Sequence, residues 1–231
     1  MPNTLDFDLG GTVPPWGRNA TEYEAFFALS DVAVSARVLD CGSGPASFAA
    51  EWSGLGHFVV AVDPVYQRAG EEIAAEFEPT AQRMLEGTRK AYDRFIWTHY
   101  KSPEDVVERR RETLQGFLAD YQSPYRVGRY VAARLTDLPF SSGAFDLVLC
   151  AHLLFLYSNE FSLDLHVASL REMLRVGREV RVFPLLDMQG ERSKHLDAIV
   201  REFETTARVE IVEVPFEFRR GDRFMLRAQK A

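Results

Sequence analysis

The sequence is poor in cysteine: its 231 residues include only Cys41 and Cys150. Two thiols are too few for a disulfide scaffold, so we expect both to be reduced, as in a cytoplasmic protein. The first residues lack the basic stretch and apolar run of a signal peptide. No apolar run elsewhere reaches membrane-spanning length, so we expect a cytoplasmic protein with no membrane partner.

The sequence also lacks an excess of positive charge. It has 27 Lys and Arg against 34 Asp and Glu, a net charge of −7. A protein that neutralises many phosphates needs the opposite balance, so we do not expect a nucleic-acid partner. No H-E-x-x-H motif, cysteine pair or carboxylate cluster suggests a metal. A small-molecule substrate is the expected partner, and the oligomeric state stays open.

Buried strands alternate with helices along the chain, which predicts an α/β fold with a doubly wound, mostly parallel sheet. The last two extended segments are joined by "RRGD" and predict an antiparallel hairpin at the sheet edge. No repeat or polar linker divides the chain, so residues 1–231 are expected to form a single domain. The strongest strand signals are "ARVLD", "HFVVAVD", "AFDLVLCA" and "REVRVFPLL".

Residues 66–125 carry no strand signal, although one crossover helix would suffice there. Pro79 and the run Ser102-Pro103-Glu104-Asp105 have the residue types that begin helices. We therefore predict a helical insertion of two or three helices. It leaves the sheet at the end of the second strand, so it can cap the acceptor pocket. A thicker helical layer and a dimer contact are the alternatives.

A glycine loop, "DCGSGPA", follows the first predicted strand, where ligands bind in such sheets. Gly42 and Gly44 allow a tight turn and a close approach of a ligand to the backbone. Pro45 is expected at the first position of the next helix. Asp63 ends the second strand, 21 residues after Gly42 (63 − 42). Its carboxylate is suited to accept hydrogen bonds from the two hydroxyls of a ribose.

The loop differs from a dinucleotide fingerprint, whose third glycine is replaced here by Ser47. Asp40 before the loop suits a ligand with an ammonium group better than a pyrophosphate. The pattern D-x-G-x-G-x-A with a later ribose acid resembles motif I of class I S-adenosylmethionine-dependent methyltransferases. "LPFSSGAFDLVLCAHLL" and the terminal hairpin are also similar to that family. The resemblance covers residues 19–64 and 129–231 and implies a Rossmann-like, seven-stranded sheet.

The resemblance implies S-adenosyl-L-methionine as the cofactor and assigns a role to several positions. The glycine loop would surround the methionyl part, Asp63 would hold the ribose, and Pro64 would border the adenine. Arg134 stands where the family often has an acid for the adenine, so adenine would rest on Leu135 or near Asp137. The implied cofactor-binding set is Arg18, Asp40, Cys41, Gly42, Ser43, Gly44, Asp63, Pro64, Leu135, Cys150 and Ala151.

Arg18 enters that set as a candidate clamp for the methionyl carboxylate, because a guanidinium binds carboxylates bidentately. His152 follows the fourth strand and is the candidate general base for a hydroxyl acceptor, or else a hydrogen-bonded lining residue. His99 is the alternative base.

The predicted function is methyl transfer to nitrogen or oxygen of a small-molecule acceptor. The alternatives are a non-catalytic sensor or partner subunit that binds S-adenosylmethionine, and an NAD(P)-dependent oxidoreductase.

Overall fold

One seven-stranded sheet organises the computed structural model, which describes residues 16–230. The strand order is β3-β2-β1-β4-β5-β7-β6. Strands β1 to β5 pair in parallel, whereas β7 is antiparallel to both β5 and β6. This confirms the predicted sheet with its reversed strand. The strands are β1 Arg37–Cys41, β2 Phe58–Val62, β3 Tyr130–Val131, β4 Phe145–Ala151, β5 Gly177–Phe183, β6 Ala207–Glu213 and β7 Phe224–Lys230.

Helices cover both faces of the sheet. No helix in the described range is long and apolar enough to cross a membrane. Residues 1–15, which begin the predicted single domain, lie outside the described part of the chain. The helices are α1 Ala20–Phe27, α2 Phe48–Gly54, α3 Gly70–Ala75, α4 Phe77–Lys90, α5 Pro103–Tyr121, α6 Leu163–Val176 and α7 Leu196–Phe203.

The start of α2 differs from the sequence prediction. The helix begins at Phe48 and not at Pro45, and its first backbone bond joins the Glu51 N–H to the Ser47 carbonyl. The Gly44 carbonyl, which a helix beginning earlier would use, instead accepts the Tyr66 hydroxyl at 2.7 Å. The loop therefore extends three residues beyond the expected boundary.

Strand alternation divides the apolar side chains between two cores. Leu39 and Cys41 face the core covered by α6 and α7, whereas Val38 faces the core beneath α1, α2 and α5. Asp40 alternates with Leu39 and Cys41 and lies on the α1 side. The end of β1 therefore places a carboxylate beneath the first helix.

The predicted helical insertion is present as α3, α4 and α5. Helix α5 begins at Pro103 with Ser102 as its cap, as expected, and its Phe117 is fully buried in the second core. The segment before α5 reaches the connection between β6 and β7, where the Ile96 N–H donates to the Phe218 carbonyl at 2.7 Å. The insertion is thus part of the main core. It also contacts the connection between the two strands at the far edge of the sheet, β6 and β7.

A buried ion pair joins the insertion to α1. Arg110 donates two hydrogen bonds to the Glu22 carboxylate, at 2.7 and 2.6 Å, and the side chains are only 2% and 6% exposed. Tyr100 also donates to Glu22. Glu22 completes the capping box of α1 by accepting the Asn19 N–H. The Glu22 carboxylate therefore caps the start of α1 and also holds α5 in place.

We predict that Arg110→Met destabilises the protein by about 3 kcal/mol, because it leaves the Glu22 charge buried without its main partner. The double variant Glu22→Gln/Arg110→Met should recover part of that loss, since the amide of the introduced glutamine preserves the capping box without the charge. Urea unfolding gives the free energies.

Arg111→Met is the matched control for Arg110→Met, since Arg111 pairs with more exposed acids and should contribute about 1 kcal/mol or less. A double variant no more stable than Arg110→Met would contradict the assignment.

Candidate active site

A cavity of about 980 Å³ opens at the carboxyl ends of the strands. Its walls come from the loop after β1, the ends of β2 and β4, the insertion, and the β6–β7 connection. The sheet order places β1 between β2 and β4, so the cavity lies at the switch point where open α/β sheets bind ligands.

The glycine loop forms the cavity floor, and each glycine is required for a different reason. Gly42 has φ +67°, and a Cβ there would lie 2.4 Å from the Leu153 side chain. Gly44 has φ +54°, but a Cβ there would meet no protein atom within 4 Å. At Gly42 a side chain would strain the backbone and would also push the Leu153 side chain aside. Gly44 combines a backbone that favours glycine with open space on its cavity side.

Asp63 holds that loop in place. Its Oδ2 accepts the Gly44 N–H at 2.9 Å, and its Oδ1 accepts the Val65 N–H at 2.8 Å. A carboxylate oxygen has two lone pairs, so each keeps one for a ligand hydroxyl. The half-buried side chain lines the cavity in a fixed orientation.

Asp40 lies behind the loop and does not line the cavity. It is fully buried, and its two oxygens accept the Tyr23 hydroxyl at 3.1 and 2.9 Å. Burial raises the pKa of Asp40 to about 7. Cys41 and Cys150 are also fully buried and outside the cavity lining, which leaves them no direct contact with a ligand there. These three residues act at most through the loop.

The other members of the predicted set line the cavity together with His152. Pro64 borders the Asp63 carboxylate, and Leu135 and Ala151 contribute apolar wall. The full group from the prediction is Arg18, Gly42, Ser43, Gly44, Asp63, Pro64, Leu135, Ala151 and His152.

Arg18 faces the cavity with an incompletely used guanidinium. Its Nη1 donates to the carbonyls of Trp16 and Gly17, and no carboxylate of residues 16–230 forms an ion pair with it. Burial lowers the pKa of Arg18 to about 10, so it remains charged near neutral pH. Arg110 forms the ion pair with Glu22, so the nearest carboxylate of α1 is already paired and leaves the Arg18 charge available to a ligand.

His152 follows β4 with a left-handed backbone, φ +51°. Its ring packs 4.8 Å from the Phe26 ring, between centroids, and its buried Nδ1 has no partner among the described residues. Burial, together with the charge of Arg18, holds the pKa of His152 well below its usual range. The imidazole is therefore neutral at pH 7 and able to accept a hydrogen bond.

Sequence reasoning missed several polar residues of the cavity. Tyr157, Arg219 and Asp222 line its wall, and Tyr66, outside the lining, fixes the Gly44 carbonyl. None belongs to a motif. One available signal was "RRGD", which brings charged residues to a turn near the carboxyl ends of the strands.

The fold and cavity together define a Rossmann-like α/β protein with a large cavity at its switch point. No family model matches the chain. A Methanocaldococcus jannaschii protein, called uncharacterized protein MJ0045, is 31% identical over 206 residues, which are 89% of this chain and 90% of that protein. The chain belongs to the family of this archaeal protein.

Two solved structures are similar in fold. Magnesium protoporphyrin IX methyltransferase from Synechocystis, with bound S-adenosylmethionine, is 13% identical over 92% of this chain and 78% of its own, with a TM-score of 0.48. A Burkholderia thailandensis 1,6-didemethyltoxoflavin-N1-methyltransferase is 17% identical, with the same coverage and a TM-score of 0.47. Likeness at this level does not identify the activity of this chain.

We predict that Asp63→Ala weakens binding of S-adenosylhomocysteine at least tenfold, because each hydrogen bond to a charged group contributes about 1.5–3 kcal/mol. Isothermal calorimetry measures the affinity, and thermal unfolding checks that the variant is folded. Asp164→Ala, an exposed aspartate on α6 outside the cavity, is the control. Unchanged affinity in folded Asp63→Ala would refute the ribose assignment.

Gly44→Val should abolish binding of the same ligand, because the new side chain would enter the open space in front of the loop. Gly128→Val is a matched control: it has φ +77°, also meets no atom within 4 Å, and lies outside the cavity. Both variants should lose similar stability from backbone strain. Equal ligand affinity in the two would show that Gly44 does not face the ligand.

Proposed function

We propose that the protein transfers a methyl group from S-adenosylmethionine to nitrogen or oxygen of a small molecule held in the cavity. The observation that carries the proposal is the open space above Gly44, bordered by the fixed carboxylate of Asp63. A nucleoside ligand whose ribose is held by Asp63 can extend along that space without meeting a side chain from the loop.

The residues around this space fit the two ends of such a cofactor. Asp63 has free lone pairs for the ribose hydroxyls, and Pro64 and Leu135 supply an apolar border for the adenine. Arg18 is a cation without an ion-pair partner among residues 16–230, so it can clamp the methionyl carboxylate. Asp40 lies behind the loop and accepts the hydroxyl of Tyr23, which itself lines the cavity.

The cofactor's sulfonium supplies an activated methyl group, so the protein must chiefly align the acceptor and exclude water. The insertion is suited to both tasks. Its Phe95 and Tyr100 line the same cavity as His152, and its chain is hydrogen-bonded to the β6–β7 connection. We therefore assign the insertion as the cap of the acceptor region. Neutral His152 can accept a hydrogen bond from a hydroxyl acceptor and so orient it.

A thermal-shift experiment tests the cofactor. S-adenosylhomocysteine at 100 times its dissociation constant should stabilise the chain by about 2.7 kcal/mol, whereas NAD should not. Stabilisation by NAD alone would exclude a methyltransferase and favour an oxidoreductase. Binding of S-adenosylhomocysteine with no turnover across a broad acceptor panel would favour a sensor or partner subunit instead.

A further inference from the structure

The turn between β6 and β7 contributes three charged residues to the cavity wall, Arg219, Arg220 and Asp222. Arg220 is exposed and donates to the Asp93 carbonyl, whereas Asp222 is buried and Arg219 is half-buried. The Asp222 N–H closes the turn by donating to the Arg219 carbonyl at 3.0 Å. Glu217 also accepts the Gly221 N–H at 2.8 Å. Because backbone and Glu217 bonds hold the turn, neither the Arg219 guanidinium nor the Asp222 carboxylate is needed to form it.

Asp222 has an unsatisfied carboxylate. The residue is 5% exposed, and its buried Oδ1 has no hydrogen-bond partner among residues 16–230. No ion pair joins it to Arg219 within 4.0 Å, and burial raises the pKa of Asp222 to about 7. An unpaired buried polar group costs free energy that a partner recovers. A ligand in the cavity that donates a hydrogen bond would be such a partner.

Arg219 is held in place yet has donors to spare. Its Nη1 donates to the carbonyls of Asp187 and Met188, at 3.0 and 3.1 Å. In the described chain, its other two nitrogens have no acceptor. The fixed guanidinium can therefore bind an anionic group of a ligand without first reorganising.

Aromatic side chains surround the turn. The rings of Phe95 and Phe218 lie 4.6 Å apart between centroids, and the Arg219 guanidinium carbon lies 5.9 Å from the Phe95 ring centre. Leu186 approaches the turn at Gly221. These side chains line the cavity, so its wall near the turn suits a planar ring more than a flexible polar chain.

We propose that Arg219 and Asp222 form the acceptor-recognition site, and that it takes an aromatic molecule carrying a hydrogen-bond donor beside a carboxylate or similar anionic group. Asp222 accepts the donor, Arg219 binds the anion, and Phe95 and Phe218 contact the ring. This assignment rests on the proposed methyltransferase function and names the substrate class of the same cavity.

The test uses the full chain saturated with S-adenosylhomocysteine and three probes, with affinities measured by ligand-detected NMR. 2-Aminobenzoate carries both groups, benzoate lacks the donor, and aniline lacks the carboxylate. We expect 2-aminobenzoate to bind at least tenfold more tightly than either. Equal binding of 2-aminobenzoate and benzoate, or no binding of any probe to the loaded protein, overturns the acceptor assignment.

Two variants test which side chain causes each part of the preference for 2-aminobenzoate. Asp222→Leu should reduce the 2-aminobenzoate to benzoate affinity ratio to about one, and Arg219→Met should do the same for 2-aminobenzoate against aniline. Arg223→Met, an exposed arginine outside the cavity, should preserve both ratios. Thermal unfolding checks folding, and removal of the unpaired Asp222 carboxylate should not lower stability. Ratios that survive the first two substitutions overturn the proposal.

Affinity for S-adenosylhomocysteine separates the two levels of inference. It should stay within about twofold in all three variants, because none of them touches the glycine loop or Asp63. If the unsubstituted chain binds S-adenosylhomocysteine but the probe results fail, only the acceptor assignment is lost. If it does not bind S-adenosylhomocysteine, the proposed function fails and the acceptor assignment falls with it.

Discussion

The Asp63 carboxylate is the constraint on which the site depends. By accepting the N–H groups of Gly44 and Val65, it connects the loop after β1 to the chain leaving β2. Tyr66 then fixes the Gly44 carbonyl, so both backbone polar groups of Gly44 are satisfied within the protein. The loop is therefore set before any ligand arrives, and binding need not include the entropic cost of ordering it.

The Glu22–Arg110 pair has a comparable role for the other half of the cavity. It fixes α5 against α1, and the chain before α5 hydrogen-bonds to the β6–β7 connection, so three distant parts of the sequence meet around one space. A buried pair is weak evidence for stability, but it is geometrically demanding. Its value here is that the insertion cannot shift against α1 without breaking a bidentate contact.

Local signals in the sequence predicted much of the fold, because they act within a few residues. Ser102 caps α5 as expected, and the predicted apolar segments form strands of the sheet. The predicted start of α2 was wrong because the hydroxyl of Tyr66, far away in the sequence, donates a hydrogen bond to the Gly44 carbonyl. Alternation along β1 also explains why Cys41 faces the opposite core, away from the cavity. The "RRGD" turn is visible in the sequence, but the burial of Asp222 and the aromatic wall beside it depend on tertiary packing.

The cavity combines charges that the protein leaves partly uncompensated. Arg18 and Arg219 line it with donors that no acceptor of residues 16–230 uses, and His152 stays neutral beside aromatic rings. The buried Oδ1 of Asp222 has no hydrogen-bond partner in the same range. A protein optimised for stability alone would satisfy or remove such groups, since each lowers the free energy of unfolding. Local rules are commonly violated at functional sites, and here the violations surround one cavity at the switch point. The unsatisfied groups are therefore best understood as half of a set of interactions that the ligands complete.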